Sequence, residues 1–195
     1  MDTEYFEAII QLRNAKPYVI EFMRKEIKTK KKVFIAKEKK VANGIDFYMN
    51  SQHFAQNLGK RLQQEFGGEL KISRRLFSRS RLTSRTIYRV SVCYIAPDFK
   101  VGDVVKIDDK IIEIRNLGKG SIAGINLCSD KKINLLTKKK EIEVLEKMTA
   151  IVSKTYPHLE VIHPKTYQSV EIKNQRKTAS KEIEVVVCGD TLFMV

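Results

Sequence analysis

The sequence predicts an α+β protein: a two-layer α/β domain followed by two small antiparallel β-barrel domains. Three observations carry this. The first half interleaves strand-like runs with two apolar stripes at helical spacing. After Pro97 the stripes stop, and short β-branched runs punctuated by Gly and Asp take over. Hydrophobic residues make up 43% and charged residues 31%, a balance that suits a folded chain.

The elements follow in order. Tyr5 to Leu12 is apolar enough for a first strand. Pro17 suits the first turn of a helix, where its missing N–H is harmless. Val19, Ile20, Met23 and Ile27 then recur at helical spacing, taking that helix to about Lys28. A lysine-rich connection leads to Gly44 and a strand over Ile45 to Met49. Asn50 or Ser51 is placed to cap a second helix whose Ala55, Leu58, Leu62 and Phe66 make one stripe. Gly67 and Gly68 end it. Two strands follow, Glu69 to Phe77 and Thr86 to Ile95. In the second, Tyr88, Val90, Val92 and Tyr94 share one face and Arg89 and Ser91 the other.

Pro97 and Asp98 close this unit, so the first domain is set at residues 1–95. Beyond it, VGDVVKIDDKIIEIRNLGKGSIAGINL reads as a small barrel, residues 96–140, whose Ser129 to Lys140 is polar. A last β domain, residues 141–195, has strands near Met148 to Ser153, Leu159 to Ile162, Tyr167 to Ile172 and Ile183 to Val187. Gly189-Asp190 is a hairpin turn into Thr191 to Val195.

Several functions find no support. No apolar run approaches the roughly 20 residues of a membrane span. The start, MDTEYFEAIIQLR, lacks the basic opening and apolar middle of a signal peptide. A cytoplasmic protein without a membrane partner is expected. Cys93, Cys128 and Cys188 form no Cys-x-x-Cys pair and are expected to pack as small hydrophobes, so no metal or disulfide framework is indicated. His53, His158 and His163 have no metal-ligand spacing and read as surface or helix-flank histidines. GKGS at 118 to 121 lacks the earlier glycine of a phosphate loop, since Glu113 stands there, and strand-like residues follow it. It reads as a hairpin tip with Lys119 exposed. No catalytic set, and no cofactor, is expected.

Charge is the informative feature. The net charge is +14, and residues 1–95 hold 20 Lys and Arg against 9 Asp and Glu. The excess gathers in two places. Lys28 to Lys40, including Lys30, Lys31 and Lys32, reads equally well as a solvated face. KISRRLFSRSRLTSRTIYRV, residues 71 to 90, has seven basic side chains and lies inside an acid-free interval from Leu70 to Pro97. Its ribbon is expected to bury Leu70, Ile72, Tyr88, Val90 and Val92 and to hold Arg74, Arg75, Arg79, Arg81 and Arg85 outward. With Lys71 and neighbouring hydroxyls these suit phosphate, since the guanidinium fork matches phosphate oxygens. Lys30, Lys31, Lys32 and Lys119 complete the candidate RNA-binding set.

GIDFYMNSQHFAQNLGKRLQQEFGGELKISRRLFSRSRLTSRTIYRVSV resembles the middle domain of the NMD-three family, the large ribosomal subunit export adaptor of eukaryotes and its archaeal relatives. YFEAIIQLR is similar to the segment after that family's zinc region. FKVGDVVKIDDKIIEIRNLGKGSIAGINL is similar to its next domain, related to translation factor five-A, and HLEVIHPKTYQSVEI to its last barrel.

The resemblance implies a middle domain like ribosomal protein L-twenty-two-e, then a Src-homology-three-like and an OB-like barrel. It implies a monomeric, non-enzymatic factor on the intersubunit face of the large ribosomal subunit, bound to ribosomal RNA, with the barrels near the tRNA exit site and the L-one stalk. Such a factor acts during assembly or blocks subunit joining. The zinc-binding repeats and the signal tail of the family are missing, which fits a truncated or naturally short form and an archaeal source. Hypusine is not expected on Lys119. The alternative is a general RNA-binding protein without ribosome preference; an RNA-modifying enzyme is the third reading.

Overall fold

The computed structural model describes residues 5–79, 86–137, 140–175 and 180–195. The chain divides into two compact units, one running to Asp98 and including Gly118–Gly120, the other made of Phe99–Leu117 and Ser121–Val195. It is mostly β-structure, with two helices among the described residues.

The first unit runs β1 (Ala8–Arg13), α1 (Pro17–Lys28), β2 (Ile35–Val41), β3 (Gly44–Met49), α2 (Gln52–Phe66), β4 (Glu69–Arg79) and β5 (Thr86–Ile95). The five strands form one sheet in the order β2-β3-β1-β5-β4. β1 is parallel to β5 and antiparallel to β3. Both helices cover one face. Ile10, Leu12, Phe47, Met49, Val90, Val92 and Tyr94 of the sheet meet Val19, Met23, Ile27, Ala55, Leu58 and Leu62 of the helices in one core. α2 sits so close that a Cβ on Gly59 would fall 2.5 Å from Val92 Cγ1. Pro17 opens α1, and Ser51 Oγ accepts from the Phe54 N–H at 3.3 Å to cap α2. Gly67, at φ 69°, ends α2 in a conformation that favours glycine.

Two expectations for this unit are corrected. The lysine-rich connection contains a strand, β2, whose sequence IAKEKKV exposes Lys37 to Lys40 because it lies at the sheet edge. The β4–β5 ribbon is not half-buried along its length. Val90 and Val92 are fully buried, but Ile72 is 37% and Tyr88 46% exposed, because the ribbon outruns the helices. From Lys71 to Arg79 every residue of β4 is exposed, on both faces.

The second unit holds two antiparallel sheets. β6 (Val104–Ile107), β7 (Lys110–Gly118), β8 (Ser121–Asn126), β9 (Lys131–Leu136) and β10 (Ile142–Leu145) are ordered β10-β6-β7-β8-β9. β10 lies past the residue-140 limit read from the sequence, yet it pairs with β6. β9 falls in the stretch read as merely polar, where Ile133 and Leu135 turn inward against the core. β11 (Lys147–Lys154), β12 (Glu160–Ile162), β13 (Ser169–Glu171), β14 (Glu182–Cys188) and β15 (Thr191–Met194) are ordered β13-β12-β11-β14-β15. A parallel bridge from Ile172 to Leu192 links the two ends. Val104, Ile111 and Leu127 share a cluster with Val186 and Phe193, so the two sheets are packed together.

Local chemistry differs from expectation at two residue types. His163 is buried, and its Nδ1 accepts the backbone N–H groups of Lys165 and Thr166 at 3.0 and 3.1 Å. It organises a turn and is not a surface group. Cys128 is exposed, and Cys93 and Cys188 are half-buried; all three are free thiols.

Candidate nucleic-acid interface

The helices leave the other face of the first sheet uncovered, and strand register fixes what stands on it. Opposed residues in a sheet share a face. One row across the five strands therefore reads Lys37, Tyr48, Ile9, Ser91 and Ser73, and the next reads Lys39, Asp46, Gln11, Cys93 and Lys71. Beyond the first row, Arg75 stands opposite Arg89. The face is polar, basic and interleaved with aromatic rings.

Its acids are few and partly engaged. Asp46 is buried and lies 2.7 Å from Arg13 Nη1, an ion pair without good hydrogen-bond alignment, since that nitrogen donates to Leu12 O. Glu38 points to the helix side, where Arg24 Nη2 binds it at 2.8 Å. Lys37, Lys39, Lys71 and Arg75 are exposed and make no ion pair among the described residues. Cations without carboxylate partners, on one face, are what a polyanion needs.

The ribbon extends this face. A bulge interrupts it between Leu76 and Ser78: Leu76 pairs with Tyr88 and Ser78 with Ile87, leaving Phe77 as the extra residue. Arg89 stacks between two rings, its guanidinium carbon 3.9 Å from the Phe6 centroid and 3.4 Å from that of Phe77. Phe6 meets Tyr48 edge-on at 4.8 Å. Next to Phe6, the Tyr5 hydroxyl donates to Glu7; burial, then the Glu7 charge, raises the Tyr5 pKa against the opposing pull of Arg89.

The residues singled out from the sequence fall in several places. Lys71 and Arg75 belong to the open face; Arg74 lies opposite Val90 and so points to the helix side, where the ribbon is exposed. Arg79 ends β4. Arg81 and Arg85 lie outside the described residues. Lys30, Lys31 and Lys32 are exposed in the α1–β2 connection, which Asn50 holds by donating to Lys32 O and accepting from Phe34 N–H. Lys119 is exposed at the β7–β8 tip, with Gly120 at φ 72°. Arg89, Phe6, Tyr48 and Phe77 were not singled out. The signal for Arg89 was the alternation Arg89, Ser91, Cys93, which marks the uncovered face. Nothing local marks Phe6.

No group of three or more His, Cys, Asp and Glu that could hold a metal occurs among the described residues. No helix among them is long and apolar enough to cross a membrane. An open cleft of about 800 Å3 lies at the end of β1, but Lys16 there donates to Asp98 O and Asn14 to the Asp98 carboxylate, contacts that tie the chain end of the sheet together.

Comparison with known proteins adds an independent line. A solved structure titled eukaryotic translation initiation factor 5A from Methanococcus jannaschii is 19% identical, over 50% of this chain and 88% of that one; its TM-score of 0.35 is too low to carry an argument. No curated protein matches the sequence. Residues 5–94 match the family model described as NMD3, second domain. That stretch contains the whole basic face, and over it the chain is similar to the second domain of the NMD3 family.

Proposed function

We propose that the protein is a non-enzymatic factor that associates with ribosomal RNA on the intersubunit face of the large ribosomal subunit, during assembly or to block subunit joining. One observation carries the reading: the stretch that matches the NMD3 second domain presents an uncovered sheet face with Lys37, Lys39, Lys71 and Arg75 unpaired among the described residues. Lys30, Lys31, Lys32, Arg74, Arg79, Arg81, Arg85 and Lys119 add to the contact surface. The match to the NMD3 second domain supports a ribosomal partner over free RNA.

The second unit supports an auxiliary role for two barrels. The order β10-β6-β7-β8-β9 favours a Src-homology-three-like barrel. The order β13-β12-β11-β14-β15, with its parallel Ile172–Leu192 bridge, favours an OB-like one. The first unit would then act as the L-twenty-two-e-like RNA-binding domain, and the barrels would reach toward the L-one stalk, the whole as a monomer.

Sedimentation with separated subunits tests the reading. Co-sedimentation with the large subunit and not the small one is expected. Equal binding to both subunits and to unrelated RNA would replace it with the general RNA-binding reading, which the phosphate-type character of the cations favours, because phosphate contacts carry no sequence information.

A further inference from the structure

The Phe6–Arg89–Phe77 column is an incomplete stack. Arg89 fills the space between the two rings, and Tyr48 closes the edge of Phe6. Phe77 is covered by Arg89 on one side, yet 50% of its surface remains exposed. The bulge is what aims it: as the extra residue of β4, Phe77 is freed from the ladder that fixes its neighbours. A large ring held at this position by a cation, with water on its outer side, is a poor arrangement for core packing. It is a good one for receiving another flat group.

The surroundings narrow what that group is. Arg75 stands across the ribbon from Arg89, and no carboxylate occurs from Leu70 to Pro97. An apolar protein partner would leave these guanidinium groups desolvated and unpaired, which is costly. An RNA strand supplies both halves: a π-face for the ring and a phosphate for the cation. A paired base already has stacked neighbours on both sides, so only an unpaired one has a face to give.

Resting on the RNA-binding reading above, we infer that the outer face of Phe77 stacks an unpaired nucleobase of single-stranded RNA, with Arg75 on the adjacent phosphate. Base–aromatic stacking of this kind tolerates any base. The surface therefore selects unpaired over duplex RNA and does not select a sequence.

The test uses the full chain, a labelled oligouridylate of about twelve nucleotides, a length within single-strand site sizes, and a duplex RNA of equal length. Binding is followed by fluorescence anisotropy at fixed salt and across a salt series. Phe77→Leu keeps apolar bulk and removes the π-face. The single strand is expected to bind more tightly than the duplex, and Phe77→Leu to weaken only the single strand, by about 5- to 150-fold, the range of one lost base stack, at an unchanged salt slope. Arg75→Gln should weaken both and make the slope shallower. If both RNAs bind alike and Phe77→Leu leaves each unchanged or weakens them equally, the stacking inference is overturned while the RNA reading stands. If neither RNA binds the folded wild type, both are overturned.

Discussion

Replacing Lys37, Lys39, Lys71 and Arg75 together with Ala removes the four exposed open-face cations that have no ion-pair partner among the described residues. Their side chains lie outside the core, so the fold should survive, with a circular dichroism spectrum and melting temperature close to those of the wild type. Each phosphate contact contributes about 0.7 to 0.9 to the slope of log affinity against log salt. Losing four contacts should make the slope shallower by about 3. Between 50 and 200 mM salt, roughly the range over which such effects are read, the wild-type advantage should shrink by about 50- to 150-fold. The assay is binding to purified large subunits across that salt series. Parallel lines for two folded proteins would show that these side chains are a solvated face that touches no phosphate, and the central argument would fail.

Other perturbations probe separate parts of the molecule. The Tyr94 hydroxyl is buried without a hydrogen-bond partner among the described residues, so Tyr94→Phe should be neutral or stabilising by about 1 kcal/mol in chemical denaturation. Burial, with the nearby Tyr18 second, raises its folded-state pKa above the ordinary 10.0. The neutral form is then favoured by folding; that stability is full below about pH 10 and falls as pH climbs, and the Phe variant should lose less on alkaline titration. Gly59→Val should destabilise by more than about 2 kcal/mol, because even a Cβ there would overlap Val92 Cγ1 and Leu70 Cδ1; an unchanged melting temperature would contradict the helix–sheet spacing. His163→Ala leaves the Lys165 and Thr166 N–H groups without their acceptor and should cost about 1 to 3 kcal/mol, measured by urea unfolding. Lys119→Ala should weaken subunit binding by roughly 1 kcal/mol at an unchanged melting temperature if the tip reaches RNA; equal affinity would leave a plain hairpin tip.

The helices were legible because their cores are written at one spacing. Val19, Met23 and Ile27, then Ala55, Leu58 and Leu62, are the buried positions, and Pro17, Ser51 and Gly67 mark ends that local backbone chemistry dictates. β2 was not legible, since an edge strand exposed on both faces has no need to alternate; β9 hid its half-buried Ile133 and Leu135 among lysines for a similar reason. The candidate site divides along the same line. Arginine density and the missing carboxylates pointed to the ribbon. Its exposure on both faces did not show, because the reach of a covering helix is set by tertiary packing. The Phe6–Arg89 contact joins residues far apart in the chain, and only the parallel register that sets Ala8 beside Val90 brings them together.

That same register bears on how the domain comes into being during synthesis. β1 is the middle strand, flanked by β3 and β5, and its parallel neighbour is the last strand of the unit to be made. Until Ile95 has left the exit tunnel, β1 can pair with β3 alone, and Ala8, Ile10 and Leu12 lack the flank that Val90, Val92 and Tyr94 provide. The nascent chain thus holds an open edge and an unfinished core over most of the unit's translation, a window in which a holding chaperone has the most to protect. Closure waits for β5, the strand of the basic ribbon that pairs with β1.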